Sequence, residues 1–315
     1  MSFSTEIKQE VSYSELKNCC ARAELSSLIQ LTSSLSIVDR QFNLLVRSEN
    51  PTTAKRILAL LKKLYKVDTK LTISKKTNLR KNNVYTLRVK ENVKKILTDL
   101  GLYTENKGLL THPTYNVVSK DCCCRAYIAG AFIAYGSCNP PTNSNYHLEI
   151  SLGDIDYANF LVKLITRCNI EGTNINPKIS KRRNKYIIYI KKADSIADFL
   201  KLIGAHECCL KFESVRIDRD FVQSQKRVEN CYIANEVKTL RAAEEQVAYM
   251  LKIKKAKKED KLDEKLRAIY DLRLKYQDAS LVELSKAYEK KYGYKISKSG
   301  LKHRLNKIEM FAENL

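Results

Sequence analysis

Two stretches of the chain run through the same order of helical and strand-like spacings of apolar residues. In the first, Ala23-Glu-Leu-Ser-Ser-Leu-Ile-Gln-Leu-Thr-Ser33 reads as a helix and Gln41–Arg47 as a strand. Asn50-Pro51 then supplies the N-cap and first position of an amphipathic helix from Thr52 to Tyr65. The alternating segments Thr69–Ser74 and Asn83–Val89 predict a hairpin, and a helix from Glu91 to Leu100 closes at Gly101. The second stretch repeats this order: helix Arg125–Gly136, strand Tyr146–Leu152, and Asp154 in the capping place of Asn50. Helix Tyr157–Cys168, strands Asn174–Ile179 and Lys185–Lys191, and helix Ser195–Ile203 ending at Gly204 complete it. Each unit reads α-β-β-β-α with one helix set between strands. The repeats, about 19–104 and 122–207, are expected to form two halves of one α+β domain over residues 1–223.

Beyond Ser224 the spacing settles to three and four, through Val237, Leu240, Ala243, Val247, Met250 and Leu251. This predicts a helical linker over 224–260, ending in the basic cluster Lys252-Ile-Lys-Lys-Ala-Lys-Lys258. Three shorter helices follow over 261–315. Leu262–Tyr276 offers Leu266, Ile269, Leu272 and Leu274 to a small core, and Ser280 with Glu283 forms a capping box opening Leu281–Lys291. Gly293 breaks that helix. Ser297 or Ser299 caps a last one, which turns Leu301, Leu305 and Ile308 inward and reaches about Met310. A compact three-helix unit of this kind is the helix-turn-helix plan, whose final helix enters the major groove of DNA.

Charge sharpens the picture. Lys and Arg number 57 against 35 Asp and Glu, a formal charge of +22, and such an excess favours a polyanionic partner through counterion release. Between Lys290 and Lys307 there are seven Lys or Arg and no acid. A charged helix face is ordinarily just solvated, but here the one-signed charge coincides with the expected recognition helix. The candidate contacts to double-stranded DNA are Lys290, Lys291, Lys295, Ser297, Lys298, Ser299, Lys302, His303, Arg304, Asn306 and Lys307. Base edges fall to Lys298, Ser299, Lys302 and His303, while Arg304 suits either a guanine or a phosphate. Accessory phosphate contacts are expected from Lys181, Arg182 and Arg183, and from Lys254, Lys255, Lys257 and Lys258. The first of these groups lies in one of two basic hairpin tips; the other is Lys75-Lys76-Thr77-Asn78-Leu79-Arg80-Lys81.

Several function classes recede. The longest apolar run, Tyr127–Ser137, is too short to cross a bilayer, and the first residues lack the apolar core of a signal peptide, so a cytoplasmic, nucleoid-associated protein is expected. Walker, GxGxxG and HExxH motifs are missing, and no cofactor is expected. Ten cysteines occur as Cys19-Cys20, Cys122-Cys123-Cys124 and Cys208-Cys209, with Cys138, Cys168 and Cys231 single. Abutting cysteines point apart, and no second pair of zinc-like spacing follows Cys122 and Cys124. Mostly reduced, buried, inert thiols are therefore expected and no metal.

Small residues at Ser27, Ser33, Gly130 and Gly136 would let the two opening helices approach closely. Leu25–Ser33 and Ile128–Gly136 there resemble the motif of LAGLIDADG homing endonucleases. That resemblance implies two helices side by side above a saddle of antiparallel strands that grips duplex DNA. It also implies a metal-binding carboxylate at the end of each helix, yet those positions hold Thr32 and Tyr135, so catalysis is not expected.

The whole pattern resembles the WhiA family, a degenerate LAGLIDADG domain joined to a helix-turn-helix. The segments that carry the likeness are Met-Ser-Phe-Ser at the start, Asn18-Cys-Cys-Ala-Arg-Ala-Glu24, Asn230-Cys231, Ala234-Asn235, Lys238-Thr239, Ala242-Ala243 with Gln246, and Ser297-Lys-Ser-Gly-Leu-Lys-His-Arg-Leu-Asn-Lys-Ile308. The resemblance implies a bacterial DNA-binding regulator of transcription, cell division and chromosome segregation, with transcription or division proteins as further partners. Tyr135 and the extended loop near Tyr292 depart from the family pattern. An active endonuclease and a division-protein scaffold are the rival readings.

Overall fold

A computed structural model describes residues 2–38, 41–67, 69–75, 83–143, 145–168 and 172–315. The chain falls into two compact units, Met1–Arg219 and Asp220–Leu315.

The first unit opens with α1 (Phe3–Tyr13) and then builds one plan twice. The first copy is α2 (Asn18–Thr32), β1 (Ser33–Val38), β2 (Gln41–Ser48), α3 (Pro51–Tyr65), β3 (Lys70–Lys75), β4 (Asn83–Val89) and α4 (Val93–Asp99). A small hairpin, β5 (Tyr103–Thr104) with β6 (Gly108–Leu109), and α5 (Tyr115–Val118) connect to the second copy. That copy is α6 (Asp121–Tyr135), β7 (Gly136–Cys138), β8 (Leu148–Leu152), α7 (Ile155–Arg167), β9 (Lys178–Arg182), β10 (Lys185–Ile190) and α8 (Ala193–Leu202). The strands form two matching antiparallel sheets, ordered β1-β2-β4-β3 and β7-β8-β10-β9.

Each sheet thus has four strands where the sequence pattern predicts three. The extra ones, β1 and β7, start directly at the ends of α2 and α6, with no loop to announce them. Ser33 and Gly136 are the turning points: both are extended, at φ −104° and −74°, and neither lies in the helix pairing. The close approach of α2 and α6 rests on Ser27 and Gly130. A Cβ at Gly130 would lie 2.6 Å from the Glu24 carbonyl oxygen and 3.0 Å from the Ser27 Cβ.

Local chemistry explains the matching α3 and α7. Asn50 Oδ1 accepts from the Thr52 amide at 2.9 Å, and Asp154 Oδ1 accepts from the Tyr157 amide at 2.8 Å. Their apolar faces, Ile57, Leu60 and Leu61 in one and Leu161, Leu164 and Ile165 in the other, join a single core with the pair α2 and α6. The buried charge in that core is partnered, although the Ser12 and Thr69 hydroxyls are not. Arg56 donates to both oxygens of buried Glu24, at 2.5 and 3.2 Å, and to the Ser12 carbonyl at 2.7 Å. Burial raises the Glu24 carboxyl above its ordinary range, against the opposing pull of Arg56.

The helix α9 (His206–Lys255) begins well before the expected linker boundary at residue 224. Its start is fixed from a distance: the Glu10 carboxylate accepts from the amides of Glu207 and Cys208, at 2.7 and 2.9 Å. Buried Cys208, Cys209 and Phe212 tie this first part to the core.

The cysteines are mostly free and buried, as expected, with exceptions. Cys124 and Cys168 are joined and the other eight are free. The free ones are not uniformly buried, since Cys122 is exposed and Cys19 half-exposed. The spacing argument also fails, because Cys124 is taken by the disulfide and it is the abutting pairs, with sulfurs 3.9 Å apart, that converge. Cys19-Cys20 and Cys122-Cys123 occupy the same first turn in α2 and α6, and the four sulfur atoms lie within 4.8 Å of one another. Burial pushes Cys123 up to about 12 and Cys20 also upward; at Cys19 hydrogen bonds from Cys123, Cys20 and Cys122 outweigh burial and hold the thiol below its usual range.

Candidate nucleic-acid interface

In the second unit the end of α9 is followed by a short 3-10 turn, Glu259–Lys261, then α10 (Glu264–Lys275), α11 (Leu281–Tyr292) and α12 (Lys298–Glu313). Each of the three helices begins on a side-chain cap. Asp263 Oδ1 accepts from the Leu266 amide at 2.6 Å, and Ser280 with Glu283 closes a reciprocal capping box. Ser297 Oγ accepts from the Gly300 amide at 3.1 Å. Gly293 ends α11 at φ +81°, a left-handed conformation that glycine adopts without steric cost.

The three helices pack through Ile269, Leu272, Leu284, Leu301, Leu305 and Ile308. Met250 and Ile253 of α9 belong to the same core, and Lys252 Nζ donates to the Ala312 carbonyl at 2.7 Å. The last turns of the expected linker are therefore part of this unit's core.

Placing Leu301, Leu305, Ile308 and Ala312 inside leaves Lys298, Lys302, His303, Asn306 and Lys307 exposed on α12. Lys290, Lys291, Lys295, Ser297 and Ser299 are exposed as well, and no acidic side chain interrupts the run. Two candidates differ from a free contact residue. The Ser297 hydroxyl is committed to its cap and shares a 3.0 Å contact with Ser299 Oγ. Arg304 is half-buried: its guanidinium lies over the Tyr288 ring, 5.9 Å from the centroid, and donates to the Tyr288 hydroxyl at 3.3 Å. Tyr288 is itself fully buried and pairs its hydroxyl with that of Tyr294 at 2.7 Å. The tyrosines thus hold Arg304 in place. Their spacing, Tyr288, Tyr292, Tyr294, was the available signal, hidden because aromatic residues there read equally as simple core.

Arg273 is a second residue that the pattern misses. It sits between apolar positions of α10, is 1% exposed, and its Nη1 donates to the carbonyls of Tyr276 (3.3 Å), Gln277 (3.4 Å) and Ala279. One buried guanidinium thereby ties off the end of α10 and the turn into α11. Of the accessory cations in this unit, Lys254, Lys255 and Lys257 are exposed and Lys258 is half-exposed.

In the first unit Lys181, Arg182 and Arg183 lie at the exposed β9–β10 hairpin, with Arg183 in the turn at φ +54°. Arg182 is 3.8 Å from the Glu149 carboxylate and Lys181 lies over the Tyr186 ring, so part of this charge is locally engaged. Lys75 ends β3, while Lys76–Lys81 lie outside the described residues.

The two carboxylate positions come out at the C-terminal ends of α2 and α6. Thr32 is buried and its hydroxyl donates to the Leu28 carbonyl at 2.7 Å; Tyr135 is 44% exposed. Tyr135 borders on a recess that includes Gln30, Ser151 and Asp154, but Asp154 is spent on capping α7. The geometry offers no pair of carboxylates for a divalent ion at these helix ends. Among the described residues, no helix is long and apolar enough to cross a membrane.

Comparison with known proteins follows the same division. Residues 18–103 match the WhiA N-terminal LAGLIDADG-like domain, 124–222 the WhiA LAGLIDADG-like domain, and 226–312 the WhiA C-terminal HTH domain. The chain is 42% identical to a "Probable cell division protein WhiA" of Bacillus cytotoxicus, over 100% of this chain and 97% of that protein. It is 43% identical to the protein of the same name from Bacillus licheniformis, with the same coverage. The crystal structure of full-length DUF199/WhiA from Thermatoga maritima superposes with a TM-score of 0.61 at 22% identity, covering 100% of this chain and 99% of that one. The first unit has the LAGLIDADG-like fold, the second ends in a helix-turn-helix, and the likeness runs from end to end: this protein belongs to the WhiA family.

Proposed function

We propose that the chain is a non-catalytic DNA-binding regulator that acts in transcription during cell division and chromosome segregation, in the cytoplasm at the nucleoid. The observation that carries this reading is the first part of α12, where Lys298, Lys302, His303, Asn306 and Lys307 are exposed with no acid among residues 298–307, on a helix seated on a capped three-helix core; the acids of α12, Glu309 and Glu313, come only in its last turns. Ser299, beside Lys298 in the first turn, completes the group that reads base edges. Arg304, held by Tyr288, serves as a fixed cation at a phosphate or guanine. Lys290, Lys291, Lys295 and Lys307 neutralise phosphates, and Lys254, Lys255, Lys257 and Lys258 extend that role, as do Lys181, Arg182 and Arg183 on the first unit. The division role rests on the name its relatives carry, and transcription or division proteins are the further partners.

Anisotropy with labelled duplex DNA across a salt series tests the reading. Lys291→Ala with Lys307→Ala should weaken binding and flatten log K against log[salt] by about 0.9 per lost phosphate contact. Affinity and slope equal to the unaltered protein would refute it. Plasmid nicking that depends on magnesium would instead favour an endonuclease, which Thr32 and Tyr135 argue against.

A further inference from the structure

The cysteine cluster lies at the opposite end of α2 and α6 from the lost carboxylates, and DNA binding by the second unit does not involve it. Cys19 and Cys20 follow Asn18 in the first turn of α2, and Cys122 and Cys123 follow Asp121 in the first turn of α6. All four are free, and within each vicinal pair the sulfurs are 3.9 Å apart. Tetrahedral zinc with Zn–S bonds of about 2.3 Å holds its sulfurs about 3.8 Å apart. The two intra-pair edges already match that length, and every other edge is at most 4.8 Å. Closing the remaining gap takes small side-chain rotations, which the exposure of Cys122 and Cys19 permits.

We propose that Cys19, Cys20, Cys122 and Cys123 form a structural zinc site that clamps the N-terminal ends of α2 and α6, one vicinal pair from each half of the repeat.

The surroundings suit the charge. Binding releases the four thiol protons to solvent and leaves a Zn(S-Cys)4 centre with two net negative charges. That charge sits on the first turns of two helices, where the dipoles are positive and amides await partners; neither Lys17 nor Lys120 makes a side-chain cap. Lys120 lines the cavity that Cys19 and Cys123 border, beside Arg22, whose guanidinium is held by Asp99 at 2.9 Å. An all-thiolate set selects a soft tetrahedral ion over magnesium or calcium, which take oxygen ligands. The sulfurs are also too close together to enclose a cluster that interposes iron and sulfide. Cys20 and Cys123 are buried, which protects the site, while exposed Cys122 leaves an entry path.

The test uses the full chain purified in a non-thiol reductant without chelator. Elemental analysis should find about one zinc per chain, released in step with mercurial titration of thiols. Cys20→Ser with Cys123→Ser should abolish retention, whereas Cys231→Ser, far along the sequence in α9, should leave it intact. Should the double variant fail to fold, the unaltered chain exchanged with cobalt must show sulfur-to-cobalt charge transfer and tetrahedral visible bands that saturate at one equivalent and bleach on adding zinc. Four reduced thiols with no bound zinc and no cobalt bands would overturn the proposal. So would iron with acid-labile sulfide, or disulfides among these four residues in protein kept anaerobic and reduced.

Discussion

Arg273 tests how the helix-turn-helix is held. Replacing it with Met keeps most of the volume and removes the charge. Two effects oppose each other. A buried guanidinium carries a desolvation cost, visible in the lowering of its pKa by burial against the weaker opposing pull of Asp278, and Met relieves that cost. In exchange the Ala279 carbonyl loses its short bond, while the contacts to Tyr276 and Gln277, at 3.3 and 3.4 Å, are long enough to contribute little. A single charge-assisted bond contributes about 1.5–3 kcal/mol, and the exposed turn lets water recover the two weaker carbonyls. The Arg273 Nε has no partner to lose. The net expectation is a loss of about 2 kcal/mol, or roughly 30-fold in the local opening equilibrium. Amide hydrogen exchange of the full chain reads this directly: protection in α10 and α11 should fall by that factor while α2 and α6 stay unchanged. Unaltered or increased protection in Arg273→Met would mean that desolvation outweighs the bond, and would refute the assignment of Arg273 as the tie between the two helices.

Three further outcomes follow from the geometry. Gly130→Ala gains up to about 1 kcal/mol of helix propensity but forces a Cβ against the Glu24 carbonyl, and overpacking of about 1–3 kcal/mol should win; a calorimetric Tm at or above that of the parent would refute the close seam. Arg56→Met strands buried Glu24 and should cost about 3–5 kcal/mol near neutrality. A carboxyl raised above its unfolded pKa removes stability as pH climbs past the unfolded value, so this loss should be smaller near pH ~5 than near pH ~8; equal Tm losses at both would refute it. Ser297→Ala should cost about 1 kcal/mol of α12 stability, seen as faster amide exchange in its first turns, and no change there would dismiss the cap.

Periodicity made α3 and α7 legible because both start on strong caps and run amphipathically against one core. The same held for α11 and α12, each opened by a serine cap. Strands β1 and β7 were not legible, since a helix that turns straight into a strand at Ser33 or Gly136 leaves no loop signature. In the candidate interface the cationic face could be read from spacing alone. Arg273 and the hold of Tyr288 on Arg304 could not, because a buried guanidinium looks polar and a buried phenol looks apolar in a one-dimensional pattern. The four thiols were missed for another reason: sequence spacing reports only ligands on one local segment, whereas this cluster exists only once two distant helices lie side by side.

Duplicating one plan within a single chain also frees it from symmetry. A dimer of identical halves repeats every substitution on both sides and can present only a self-mirrored surface. Here the halves vary independently: the same helix end carries a hidden threonine in one and an exposed tyrosine in the other. Matching sheets β1-β2-β4-β3 and β7-β8-β10-β9 therefore preserve the frame while each face is free to address a different, non-palindromic neighbour.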